Sequence, residues 1–447
     1  MARRGWFLKR TRAPVPKLGR VPSGHPTILF TGFEPSGDDH AAAAIAELLA
    51  RHPHVRVCAW GGPKMGAAGA EIVEHTGKDA VVGLPGIGKI LEHRRINARV
   101  AEWVARNKPA VHVPVDSPAA NFPICKITKR AGARVVHLVA PQVWAWGSWR
   151  IHKLRRLTDF VCCLLPFEEA YFRDRGVEAR FVGHPLFDTP LDLDALDSAV
   201  AAWPRGETNL AVMPGSRPAE LRQNAPLLVE VYRQLEAERP GLRGVVAAAT
   251  DEIAGDLPAL AGGAWPDSLR IERARTDEVV RWCDAALVVS GTVTLQVARQ
   301  ARPRQVVCMW SRLVSWLSGR WLLRTRKFTL PNLIAGREIV PEMVPYFGGP
   351  GPVLDRLRAL LDDPGALRAQ RETLGTLAGI YRGRSAAEGA ARAIAWQAGL
   401  EDADAIPDVL GDGTPPLEQL ARAAGPSCPA PETEQTRGAV ASGPAGE

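Results

Sequence analysis

Leu210-Ala211-Val212-Met213-Pro214-Gly215-Ser216-Arg217 is an apolar run that ends in a glycine turn and an arginine. Ala219-Glu220-Leu221 follows, where a helix is expected to start. Strand, glycine turn, arginine and helix, in that order, is the layout of an anion site. Glycine lets the backbone approach a ligand, a helix N-terminus offers N–H groups with no partner inside the helix, and arginine adds a permanent fork of donors. The same string also suits a tight turn that carries a surface arginine.

The unit is one of a series. Thr27-Ile28-Leu29-Phe30-Thr31-Gly32 reads as a short buried strand, followed by a loop at Glu34-Pro35-Ser36-Gly37-Asp38 and a helix pattern over Ala41 to Ala50. Strands are expected at 55–60, 110–115, 134–139, 160–165 and 180–182, with helices such as 96–106 between them. The pattern lapses around 187–207. It resumes with strands at 210–213, 244–248, 285–289 and 305–309, and with closing helices over 354–397. Alternating strands and helices predict an α/β protein with parallel sheets. Two such runs predict two Rossmann-like, doubly wound domains facing a central cleft. The domains are expected at 26–188 and 189–400, between a basic arm at 1–25 and an acidic, largely disordered tail at 401–447.

At 447 residues the chain is too long for one ordinary core. The formal charge of +8 is unevenly placed. Residues 1–25 hold seven Lys/Arg and no acid, and residues 285–337 hold nine and no acid; residues 401–447 hold nine acids against two arginines. Two basic zones and an acidic tail favour an anionic ligand or surface and speak against general nucleic-acid binding. The seven cysteines show no metal spacing and read as buried thiols of a reducing cytoplasm. No apolar run reaches the ~20 residues of a membrane span. The start lacks the apolar stretch of a signal peptide.

In sheets of this type ligands bind beyond the strand C-termini. Asp116 ends the run Val111-His112-Val113-Pro114-Val115, where it suits a general base or, with Ser117-Pro118 following, a helix cap. Glu34 to Asp38 suits an acceptor contact or a capped loop. Ser290-Gly291-Thr292 suits phosphate oxygens or a simple cap. Trp144-Ala145-Trp146, followed by Trp149, Arg150, His152 and Lys153, suits a substrate wall or an apolar hinge. Gly83 to Ile90 nearly spells a P-loop, but Ile90 stands where the magnesium-binding hydroxyl belongs, so an ATPase is excluded. Residues 310–327 place Leu313, Val314, Leu317 and Trp321 on one helical face and cluster Arg320, Arg324, Arg326 and Lys327 at its end. That composition suits an anionic bilayer or a core helix with a charged end. No metal cluster is visible.

Several strings taken together resemble the lipid-A-disaccharide synthases, inverting glycosyltransferases of the two-domain GT-B fold. They run in order from Thr27 to Gln397: Glu34-x-Ser36-Gly37-Asp38, Gly62-Pro63-x-Met65, Asp116-x-Pro118-x-x-Asn121, Pro141-x-Val143-Trp144-Ala145-Trp146, Leu165-Pro166-Phe167-Glu168, Val182-Gly183-His184-Pro185, Pro214-Gly215-Ser216-Arg217-x-x-Glu220, Ser290-Gly291-Thr292, and Leu330-Pro331-Asn332-Leu333-Ile334-Ala335-Gly336-Arg337.

The resemblance implies a UDP-2,3-diacylglucosamine donor, a 2,3-diacylglucosamine 1-phosphate (lipid X) acceptor, and a β-1,6-linked disaccharide product. It implies Asp116 and Arg217 as catalytic residues. Gly215, Ser216, Arg217, Ser290, Gly291, Thr292, Gln296 and Asn332 are the expected donor contacts. Glu34, Ser36, Gly37, Asp38, Asn121, Trp144 and Trp146 are the expected acceptor contacts. No metal and no cofactor are expected. Acylated substrates imply a cytoplasmic enzyme held peripherally on the anionic inner leaflet through Trp310, Trp316, Trp321, Arg324, Arg326 and Lys327. A homodimer is a further implied possibility. Two positions depart from the pattern. Gln296 stands where a glutamate usually takes the ribose hydroxyls, and Ala120 stands where an aromatic is usual. A paralogue with another acceptor, a UDP-sugar 2-epimerase and a non-catalytic UDP-sugar binder are the competing readings.

Overall fold

The computed structural model describes residues 25–76, 87–309, 327–403 and 406. The arm at 1–24, the near-P-loop up to Gly86, the segment 310–326 and nearly all of the tail lie outside the described residues. The chain divides into two compact units. One runs to Leu191 and resumes at Tyr381; the other spans Asp192 to Ile380.

The first unit is built on seven parallel strands: β1 (Thr27–Thr31), β2 (Arg56–Gly61), β3 (Glu71–His75), β4 (Val111–Pro114), β5 (Arg134–Leu138), β6 (Phe160–Cys163) and β7 (Ala179–Phe181). Their spatial order is β3-β2-β1-β4-β5-β6-β7. The central strands read as near-continuous apolar runs because helices cover both faces. On one face Ala41, Ala44, Ile45 and Leu48 of the helix Pro35–Arg51 pack on β1 and β2 at helical spacing. On the other, Ile96, Val100, Trp103 and Val104 cover Leu29, Cys58 and Trp60. Trp60 and Trp103 meet edge to face at 5.4 Å.

The second unit repeats the plan with β8 (Thr208–Met213), β9 (Leu242–Ala248), β10 (Leu269–Arg273), β11 (Ala285–Val288), β12 (Arg304–Met309) and β13 (Glu342–Tyr346). The order is β10-β9-β8-β11-β12-β13. Strand order therefore reverses direction between β1 and β4 in one unit and between β8 and β11 in the other. Those are the switch points at which such sheets open a ligand crevice.

Three strands escaped the sequence reading: β3, β10 and β13. All are sheet edges with one strand partner each, and most of their residues are only partly buried or exposed, Leu269 and Tyr346 excepted. An edge strand needs no continuous apolar run, so Glu71-Ile-Val-Glu-His75 and Leu269-Arg-Ile-Glu-Arg273 carry little signal. The closing helices also divide differently from the expectation. The helix Ala386–Gln397 packs in the first unit, on the face that carries Pro35–Arg51. Small side chains let it lie close: a Cβ on Gly389 would stand 2.8 Å from Val182 Cβ. Asp188 accepts from Ala386 N at 2.7 Å and Ala387 N at 3.0 Å, which satisfies the open helix start. The acidic tail begins ordered, since Glu401 bonds His52 at 2.9 Å and Ile406 joins the first core.

Candidate active site

Asp116 stands just past β4, beside the switch point of the first sheet. It and Ser117 both hold left-handed backbone angles, φ 47° and 36°. Such angles cost non-glycine residues roughly 1–3 kcal/mol each and persist only where the surroundings fix them. Here Asp116 N donates to Leu138 O at 3.0 Å, and the Asn121 amide donates to Val115 O at 3.0 Å and Asp116 O at 2.9 Å. The Ser117 hydroxyl donates to the Glu34 carboxylate.

Behind Asn121 lies a buried polar chain that the sequence reading missed. Asn121 Oδ1 accepts from the Thr31 hydroxyl at 2.6 Å, and Thr31 meets His112 Nε2 at 2.9 Å. With the hydroxyl proton of Thr31 committed to Asn121, His112 Nε2 is the donor and Nδ1 faces Thr128 at 3.0 Å as acceptor. Burial pushes the pKa of His112 down to about 3, so the imidazole stays neutral. The only signal for this chain was a histidine inside an apolar strand.

Burial raises the pKa of Asp116 above the ordinary aspartate range; Glu34 adds to the rise, while the Ser117 N–H and His40 oppose it. His40, also missed, is part-buried, with Nδ1 screened from solvent and unbonded. It shares a small cavity with Leu138, Leu164 and Asp188. Its own pKa is lowered, first by burial, with Asp116 the leading opposing charge.

The expected acceptor residues separate into two groups. Glu34 and Ser36 are exposed, but Ser36, Gly37 and Asp38 form the first turn of the helix Pro35–Arg51, not a loop. Asp38 and Asn121 face inward as positioning residues. Asp38 is buried and accepts from Lys64 N and Met65 N at 3.0 Å each, which closes the start of the helix Pro63–Ala67. Gly62 is required there, because a Cβ would stand 2.2 Å from Asp38 Oδ2. Trp144 is half-buried; its Nε1 donates to Glu168 at 2.9 Å and its ring meets Phe167 edge-on. Glu168 is buried and also accepts from Leu164 N and Leu165 N, at 3.1 and 3.0 Å. Burial nevertheless raises its pKa to about 7. Trp146 is exposed beneath the Arg150 guanidinium, 3.6 Å from the ring centroid.

In the second unit Gly215 follows β8 with φ +109°, an angle that a side chain would strain. Ser216 and Arg217 are exposed at the start of the helix Pro218–Glu238, and Arg217 pairs with Glu220 at 2.5 Å. Gly291 and Thr292 are exposed after β11, across the switch point from Gly215. Ser290 Oγ donates to Phe328 O at 3.1 Å. A cavity of about 320 Å³ opens here, lined by Glu220, Gln223, Asn224, Ser290, Met309 and Phe328 among others. Gln296 lies on the next helix with its amide donating to Asp277 at 3.3 Å. Asn332 is a correction: it is fully buried, bonds Val340 O, Ile339 N and Val340 N, and so pins the turn that follows its helix. Of the six expected membrane residues, only Lys327 lies within the described part.

Two parallel-sheet α/β units of this topology define the GT-B fold class. Among solved structures, the kitacinnamycin glycotransferase matches with TM-score 0.56 and 16% identity, covering 84% of this chain and 99% of that one. The Staphylococcus aureus MnaA–UDP co-structure matches with TM-score 0.56 and 11% identity, covering 84% and 98%. A profile of the lipid-A-disaccharide synthetase family matches residues 28–347. The lipid-A-disaccharide synthase of Myxococcus xanthus is 37% identical over 375 residues, 82% of this chain and 95% of that protein. The Pseudomonas aeruginosa enzyme is 34% identical over 339 residues, 75% of this chain and 89% of its own length. The chain belongs to the lipid-A-disaccharide synthase family, and it is a UDP-sugar glycosyltransferase of lipid A biosynthesis.

Proposed function

We propose that the chain transfers diacylglucosamine from UDP-2,3-diacylglucosamine to 2,3-diacylglucosamine 1-phosphate. The acceptor 6-hydroxyl oxygen bonds to the donor anomeric carbon as the bond from that carbon to the diphosphate breaks. Asp116 takes the hydroxyl proton, and UDP leaves with the bonding electrons. Attack opposite the leaving group inverts the configuration and gives the β-1,6 linkage. The observation that carries this reading is Asp116 itself, a carboxylate held in strained backbone at a switch point with its pKa raised toward a base's working range.

Arg217 stabilises the charge that builds on the departing diphosphate. Gly215, Ser216, Ser290, Gly291 and Thr292 supply donor contacts around it, and Gln296 meets the ribose with an amide where a carboxylate is usual. Glu34, Ser36, Trp144 and Trp146 border the acceptor. Purified protein with both substrates should release UDP, and Asp116→Ala should abolish that release. Turnover without acceptor would overturn the reading in favour of hydrolysis or epimerisation.

The enzyme works on the inner leaflet, bound peripherally through the basic, tryptophan-rich stretch 310–327. No described helix is long and apolar enough to cross a membrane. Mutating Arg324, Arg326 and Lys327 to Glu should release the protein from anionic liposomes; unchanged binding would sink this part. Homodimer formation is tested by light scattering, where a monomer mass would reject it.

A further inference from the structure

The groove between the helices Ile151–Leu157 and Pro166–Arg173 holds a cavity of about 460 Å³ in the first unit. Trp144, Ile151 and Tyr171 form largely apolar walls, and Ser148, His152, Arg155 and Arg175 also line it. No carboxylate is among them.

Both arginines line this one cavity. Gly176, with φ +72°, turns the chain directly after Arg175, and a Cβ built on it would lie 3.5 Å from Arg155 Cδ and 3.9 Å from Arg155 Nη1. Arg175 lies over the Tyr171 ring at 3.9 Å, with Nη1 bonded to Tyr171 O at 2.9 Å. Neither arginine has an ion-pair partner among the described residues. Glu168 is used on Trp144 and the turn at Leu164 and Leu165, Glu169 on Phe181 N and Arg173, and Asp174 and Glu178, which flank Arg175 in sequence, do not line the cavity.

Like charges gathered without a counter-ion repel one another, and an anion that enters relieves the repulsion. Two planar forks of donors match phosphate oxygens. The stretch from Val139 to Thr158 adds Arg150, Lys153 and Arg156 and contains no acid. The same stretch exposes Trp149 by 62% and Trp146 by 39%, two of the few large apolar side chains left in water among the described residues. Indole rings so placed, beside unpaired cations, favour the boundary between phosphate and hydrocarbon.

We propose that this groove is a phosphomonoester site and that it takes the phosphate head of an acylated lipid, with Trp146 and Trp149 against the lipid's apolar part. The site shares Trp144 and Trp146 with the acceptor residues proposed above and in that respect rests on that reading; Asp116 and Arg217 do not line it.

The test is calorimetric binding of monomeric dihexanoyl phosphatidic acid to the full-length protein, with inorganic phosphate as the second probe. Wild type should bind the lipid, and the double variant Arg155→Ala, Arg175→Ala should bind it at least tenfold more weakly. Arg155→Glu, another surface change, should do the same, with circular dichroism to show that each variant is folded. Trp146→Ala with Trp149→Ala should weaken the lipid and leave inorganic phosphate unchanged. Equal binding by wild type and the double arginine variant, or no binding by wild type, overturns the proposal. Inorganic phosphate binding as tightly as the lipid overturns the lipid half and leaves a plain phosphate site. Asp116→Asn should bind the probe like wild type, so failure of the catalytic reading and failure of this site are told apart.

Discussion

The side-chain amide of Asn121 donates to the main-chain carbonyl of Asp116 at 2.9 Å, one residue type holding the backbone of another in a left-handed turn. The carboxyl of Asp116 is thereby aimed by a residue that is itself wholly buried. Asn121→Ala strands the carbonyls of Val115 and Asp116 and the Thr31 hydroxyl. Each lost partner costs about 1–3 kcal/mol where burial is complete. A drop of several degrees in melting temperature and a 10- to 100-fold fall in kcat, with KM for the donor little changed, is expected. Kinetics equal to wild type would show that the turn holds itself.

Asp116 also fixes a pH dependence. Its pKa in the folded protein is raised, mainly by burial, above the ordinary 3.8. The proton-accepting form therefore exists only above that raised value, and the acid limb of kcat/KM should fall at a higher pH than a solvated aspartate gives. Asp116→Asn should remove this limb together with nearly all activity. A limb that persists unchanged in the residual activity would assign it to another group.

Glu168 predicts a stability slope. Its folded pKa of about 7 stands above the unfolded 4.5, so the folded state holds the proton more tightly. The resulting stabilisation is present below pH 4.5 and is lost as pH rises to about 7. Denaturant titrations of wild type and Glu168→Gln across this window should differ in slope, with roughly 1–3 kcal/mol lost by wild type alone. Parallel curves would show that the carboxyl titrates normally.

Arg217 is expected to matter for binding and not for folding. Its side chain is 69% exposed, and its pairing with Glu220 is the surface kind, worth about 0–1 kcal/mol. Arg217→Ala should leave the melting temperature within about a degree and weaken UDP binding at least tenfold by calorimetry. A large loss of stability with UDP affinity intact would reverse the assignment.

The sequence was readable where one residue type must do one local job. Apolar runs gave the central strands, because a strand covered on both faces tolerates little else. Gly215 and the loops after β1, β4, β8 and β11 were visible as breaks at the ends of those runs. The sheet edges were not visible, since Glu71–His75 and Leu269–Arg273 are half in water and alternate weakly.

Tertiary structure decided what the polar residues do. Asp38, Asn121 and Asn332 sit inside motifs that pointed to ligands, yet their side chains face inward and close helix starts and turns. Nothing local separates an asparagine that touches substrate from one that braces the chain. The difference is which buried N–H and C=O groups lie within about 3 Å, and those come from distant segments. The same holds for the helix Ala386–Gln397, whose alanines specify close packing without naming the sheet they pack on. The sequence by itself determined the two-sheet architecture, the family and the position of Asp116 at a strand end. Only the fold determined that Asn121, Thr31 and His112 stand behind Asp116, because hydrogen bonds that span 90 residues are set by strand order and leave no local pattern.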